Sequence, residues 1–97
     1  MAYKIIIEPD ASLDIQKAIT WYNDQGKGLG RKFFSEVNSH FNLLKENPHF
    51  ENRYDNVHCL PLKKHPYMVH FTIDEVKEIV SVRSVFHTSL NPKNWNR

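Results

Sequence analysis

Two side chains four residues apart, Arg83 and His87, carry the sharpest chemical potential of this sequence. On an extended strand that spacing sets their Cα atoms roughly 13 Å apart, at about 3.3 Å of rise per residue. Such a pair could clamp successive phosphates or approach one reacting group together, the histidine moving a proton near neutral pH. The same spacing also describes a solvated strand with two unrelated polar residues. Lys63, Lys64 and His65 form a second cationic group, and His70 lies between the two groups in the chain. Lys63, Lys64, His70, Arg83 and His87 are therefore the candidate residues for holding a phosphate backbone or an acidic partner.

Other chemistries find less support. No His-x-x-x-His or similar close ligand pair occurs, so a metal site is not expected. Cys59 is the sole cysteine, which excludes an intrachain disulfide and a multi-cysteine metal site and fits a reducing cytoplasm. Neither it nor any serine sits in a strand-turn-helix elbow, and Cys59 reads better as a small buried side chain. Gly26, Gly28 and Gly30 follow a helical pattern instead of a strand and lack the Lys-Ser/Thr pair of a phosphate loop, so they read as a cap and turn. No cofactor is implied.

The elements that must position these residues follow from periodicity. Residues 3–8 alternate up to Pro9 and read as a first strand. Asp10 is a plausible N-cap, with Asp14 in the first turn, for a helix whose apolar positions are Ala11, Ile15, Ala18 and Tyr22. Leu29, Phe33, Val37, Phe41 and Leu44 make the stripe of a second helix over about 28–46, which Pro48 stops; Phe34 widens its apolar face. His49 to Asn56 reads as a loop. Strands are expected at 57–62, 67–73 and 79–87, with Asp74 to Lys77 joining the last two. The fold class is α+β, in the order β-α-α-β-β-β, with two N-terminal helices packed on one face of a small, mainly antiparallel sheet.

A hairpin closing symmetrically about Glu75 and Val76 would set Val69 opposite Val82 and Phe71 opposite Val80, on the side facing the helices. Phe86 would join that core side. Met68, His70, Thr72, Arg83 and His87 would then share the other, mostly polar face; a slip of one residue would exchange the faces.

With 97 residues, 40% apolar and 25% charged, the chain suits one globular domain over 1–97. The net charge is +2, and the excess is C-terminal: seven basic against five acidic residues after position 50, where four of the six histidines also lie. This permits polyanion binding without demanding it. No stretch has the roughly 18 apolar residues of a membrane span, nor a signal core at the N-terminus, so no membrane contact is expected.

The element order, the Ala11-to-Tyr22 and Phe33-to-Pro48 helices, Leu62-Lys63-Lys64-His65-Pro66-Tyr67, and Val85-Phe86-His87-Thr88-Ser89 followed by Asn91-Pro92-Lys93-Asn94-Trp95 resemble the RelE/ParE superfamily of type II toxin-antitoxin modules. The likeness covers nearly the whole chain. It implies a growth-arresting toxin neutralised by a cognate antitoxin, with no cofactor and a homodimer among its assemblies. RelE-like members cut mRNA on the ribosome; ParE-like members inhibit DNA gyrase without cutting nucleic acid. RNA cleavage needs an activated 2′-hydroxyl, cations around the pentacoordinate phosphate and a proton for the leaving oxygen. RelE-like chains often place arginine after the tyrosine of the third strand and before Asn-Pro, where this chain has Met68 and Leu90. A ParE-like, non-cutting toxin is therefore the first expectation, closer than an endonuclease using Arg83 and His87. A non-toxic binding relative is the third. Trp95 is expected to anchor the C-terminal tail.

Overall fold

The computed structural model describes residues 3–50, 52–54 and 56–89. Strand β1 (Lys4–Ile7) leads into helix α1 (Pro9–Gln25) and helix α2 (Leu29–Glu46); β2 (Asn52–Tyr54), β3 (Val57–Pro61), β4 (Tyr67–Asp74) and β5 (Ile79–His87) follow. The sheet order is β1-β5-β4-β3-β2, with β1 parallel to β5 and the other pairs antiparallel. The α+β order β-α-α-β-β-β is thus found, with a short strand, β2, added in the segment expected as loop. The expected Trp95 anchor and the Leu90 and Asn91-Pro92 positions lie outside the described residues.

Helix α1 begins two residues earlier than its sequence suggests. Glu8 is the N-cap and Pro9 the first helical residue, while Asp10 falls in the first turn. Proline suits that place because its fixed φ is already helical and its missing N–H would have had no partner. Ala11, Ile15 and Ala18 are buried on one side of α1, and Phe33, Val37, Phe41 and Leu44 on one side of α2. They meet Leu60, Val69, Phe71, Val80, Val82 and Val85 of the sheet in one core. Phe34, by contrast, is exposed.

The β4–β5 pairing corrects the expected register. Phe71 faces Val82 and Ile73 faces Val80, a shift of two residues that leaves the inward set of valines inward. Between His70 and Phe71 the register shifts again: His70 faces Ser84 and Val69 faces Val85, so Arg83 is an extra residue in β5. One inserted residue reverses every later side chain. Phe86 therefore faces Met68 on the far side of the sheet, not the helices, and His87 pairs with Tyr67 on the helix side. Helix α1 supports the irregularity, since the Val85 N–H donates to Asp14 Oδ2 at 3.0 Å.

Burial corrects the expected polar face as well. Val57, Cys59, Met68, His70, Ser84 and Phe86 are all buried, and His70 has no exposed surface. The sheet is covered on both sides at its centre. Cys59 is the small buried side chain expected of it, with Sγ 3.5 Å from His70 Nδ1.

The turn between the helices is set by close approach. Gly28 has a left-handed φ of 83°, and the Gly30 N–H donates to Asn23 Oδ1 at 2.9 Å. A Cβ on Gly30 would stand 2.6 Å from Asn23 Oδ1 and 2.7 Å from the Ile19 carbonyl oxygen. The backbone carbonyl cannot rotate aside as a side chain can. Gly30→Ala is therefore expected to lower stability by about 1–3 kcal/mol, read as a lower urea midpoint at unchanged slope.

Candidate functional site

The connection between β3 and β4, residues 62–66, divides the helix side of the molecule into two depressions. The larger, about 990 Å³, runs along α2 and is edged by Lys32, Lys63 and Lys64. The smaller, about 310 Å³, is lined by Trp21, Tyr22, Pro66, Tyr67, His87 and Ser89. Tyr22 belongs to both.

Glu36 holds the divider in place. Its side chain is buried in α2, and Oε2 accepts the Lys63 and Lys64 N–H groups at 2.9 and 2.6 Å. Oε1 accepts the His65 ring at 2.7 Å, which fixes the proton on His65 Nδ1. Burial alone pushes the Glu36 carboxyl up, but the bonds from His65, Lys64 and Lys63 outweigh it and hold it below the usual carboxylate range. The connection is closed from its other end by Leu62 N–H donating to Tyr67 O and Thr88 N–H donating to Pro66 O.

Rings pack around this loop. Tyr22 lies 5.0 Å from His65, 5.3 Å from Phe33 and 5.0 Å from Trp21, centroid to centroid, and Tyr67 lies 5.0 Å from Phe33. Burial and then the Glu36 charge push the Tyr22 phenol up; burial and then Tyr22 do the same to Tyr67. Both phenols therefore stay protonated at neutral pH and can donate a hydrogen bond but not act as bases.

His87 closes the smaller cleft, with its ring 5.1 Å from Tyr67. The Ser89 N–H and Oγ–H both donate to its Nδ1, at 3.1 and 2.7 Å. An Nδ1 that accepts leaves Nε2 as the N–H of the neutral ring, directed away from Ser89. No arginine or lysine lines this cleft among the described residues.

The five sequence-derived candidates are thus dispersed. Lys63 and Lys64 come together on the rim of the trough, and His87 stands in the aromatic cleft across the loop. Arg83 is exposed at the irregularity of β5, past which the alternation has reversed, so it does not share His87's face. His70 is buried on the side of the sheet away from the helices, with no exposed surface. Glu36, Trp21 and Tyr22 were not singled out from sequence as site residues. A glutamate three residues after Phe33 and one before Val37, within the buried stripe, was the signal available for Glu36. Among the described residues no group of three His, Cys, Asp or Glu side chains could hold a metal ion. No helix among them is long and apolar enough to cross a membrane.

Two helices on one face of a mixed sheet are the fold this chain shares with solved ParE- and RelE-type toxins. A family model described as the ParE toxin of the type II toxin-antitoxin system parDE matches residues 5–92, and the chain belongs to that family. Among solved structures it resembles one of the chromosomal ParDE system of P. aeruginosa at TM-score 0.79 and 12% identity, covering 91% of this chain and 98% of that one. The RelBE2 toxin-antitoxin complex of Mycobacterium tuberculosis follows at TM-score 0.64 and 17% identity, covering 90% and 99%. The intact E. coli RelBE complex gives 0.65 and 16%, covering 93% and 100%. At these identities the likeness is one of fold. No curated protein sequence matches the chain significantly.

Because the lowered Glu36 pKa stabilises the folded state, that contribution is complete above the ordinary carboxylate value of about 4.3 and is lost as pH falls through the lower, folded value. Glu36→Ala is expected to cost about 2–4 kcal/mol at pH 7, with the gap to wild type narrowing as the solution is acidified below pH about 4. Urea melts of both proteins from pH 7 to 3 measure it.

Proposed function

We propose that this chain is the toxin of a type II toxin-antitoxin module that arrests growth in the cytoplasm by binding a protein target such as DNA gyrase, and that a cognate antitoxin neutralises it. Membership of the ParE toxin family supports the gyrase-directed reading over the ribosomal one. The observation that carries it is the lining of the His87 cleft, which is aromatic and holds no cation among the described residues. Cleaving RNA requires positive charge at the pentacoordinate phosphate, and the cations named from the sequence, Arg83, Lys63 and Lys64, belong to other surfaces. A cleft of rings beside one histidine suits an interface anchor on a protein better.

A second reading, ribosome-dependent mRNA cleavage, is favoured by one feature: Trp21, Tyr22 and Tyr67 offer ring faces and edges on which a base could stack beside His87. The antitoxin reading draws on the two RelBE neighbours, each solved as a toxin-antitoxin complex.

Expression of the chain without its neighbouring reading frame is expected to arrest growth, and purified protein to abolish supercoiling by gyrase while cellular transcripts remain full length. Unimpeded supercoiling at saturating protein, with transcripts cut in arrested cells and spared by Arg83→Ala/His87→Ala, would establish the endonuclease instead.

A further inference from the structure

Strand β1 is one edge of the sheet, with only β5 beside it. The Lys4 and Glu8 N–H groups donate to Glu78 O and Val82 O, each at 2.9 Å, so the even-numbered positions of β1 turn their backbone groups toward β5. Alternation directs the N–H and C=O of Ile5 and Ile7 outward, away from the sheet. The Tyr3 N–H has the same parity but is taken by the Lys45 carbonyl near the end of α2, which leaves Ile5 to Ile7 as the open stretch of edge. Open edges are ordinarily guarded by charge or by a bulge. This one is apolar, with Ile6 41% and Ile7 44% exposed.

The charges that flank the open stretch are matched. In Lys4-Ile5-Ile6-Ile7-Glu8 a cation and an anion stand at equal distances from Ile6, so the segment is complementary to its own reverse. Lys4, Ile6 and Glu8 share one face of β1, and Ile5 and Ile7 share the other with Val80 and Val82. Among the described residues neither Lys4 nor Glu8 has an ion-pair partner within the chain.

We propose that β1 pairs antiparallel with β1 of a second copy of this chain, about a two-fold axis at Ile6, so that the two sheets become one. Ile5 then lies opposite Ile7 of the second copy, and their outward N–H and C=O groups exchange hydrogen bonds on both sides of the axis. Lys4 lies opposite Glu8 of the second copy, also twice, flanking the two Ile6 side chains. The backbone selects this register. An axis at Ile5 would set Ile7 against Tyr3, whose N–H is already used, and an axis at Ile7 would set Ile5 against Pro9, which has none. Because both copies use the same edge, the contact closes at a dimer. A strand of another protein could take the edge, but the matched charges about Ile6 answer a second strand of the same sequence. The inference does not depend on which target the toxin binds.

Sedimentation of the full chain alone tests it. At about 100 µM the wild-type protein is expected to be a dimer that dissociates on dilution, with the Ile5 and Ile7 amides slowed in exchange only while dimeric. Ile6→Lys sets two cations across the axis at an exposed position; it is expected to be monomeric at the same concentration and to melt within a few degrees of wild type. Lys4→Glu and Glu8→Lys each turn two attractions into two repulsions, and each is expected to dimerise at least about tenfold more weakly. An equal mixture of these two variants regains both opposite-charge pairs and is expected to form a mixed dimer within about threefold of wild-type affinity. A wild-type monomer at about 100 µM, or a dimer that Ile6→Lys leaves intact, would overturn the proposal. So would a mixture that associates no better than its two components. Ile5 and Ile7 amides protected only when the protein of the adjacent reading frame is added would overturn the second copy in favour of a partner's strand.

Discussion

A buried carboxylate reaching out of a helix to fix a loop is the constraint on which the functional surface depends. Glu36 is buried beside the core residues Phe33 and Val37, where an unpaired charge would be costly, and the β3–β4 connection supplies three donors for its two oxygens. The dependence runs both ways. Without the loop the carboxylate would be buried and unsatisfied, and without the carboxylate the Lys63 and Lys64 amides would have no partner in this conformation. Because His65 is one of the donors, the same contact sets the ring against which Tyr22 and Phe33 pack. Tyr67 follows directly in β4 and carries the contact on to His87. Trough and cleft are thus two sides of one pinned segment.

The irregularity in β5 decides what chemistry that surface can offer. An uninterrupted strand would have set Arg83 and His87 on one face, the arrangement a phosphate-cleaving pair would need. The extra residue separates them and turns His87 toward the aromatic cleft, while Asp14 takes the Val85 N–H next to the break. Among the described residues, His87 stands beside the rings of Trp21, Tyr22 and Tyr67, with Ser89 bonded to its Nδ1.

How much of this was legible in the sequence depended on the range of the signal. The helical stripes Ala11-Ile15-Ala18 and Phe33-Val37-Phe41-Leu44 are local, repeat several times and were readable, the second with its boundaries and the first all but its start. The inward placement of Val69, Phe71, Val80 and Val82 survived a register error of two residues, since a shift of two preserves the alternation. Phe86 and His87 did not, because a single inserted residue leaves no mark in composition and its support, Asp14, lies 71 positions away. His70 looked like an exposed strand histidine, since nothing within its own strand tells that Cys59 of β3 and Phe86 of β5 would lie against it. β2 is three residues long and exists only by pairing with β3, so its polar sequence read as loop. Glu36 went unremarked for a related reason: its partners come from a loop 27 to 29 residues further on.

If one carboxylate builds this surface in advance, amide hydrogen exchange at Lys63 and Lys64 must report it. Both side chains are exposed and lie outside any strand, so ordinary loop amides there would exchange at nearly the free-peptide rate. Both amides are expected to be slowed by at least roughly 100-fold in the wild-type protein, and both to lose that protection in Glu36→Ala while the amides of β4 and β5 keep theirs. Free-peptide exchange at Lys63 and Lys64 in the wild-type protein would contradict it.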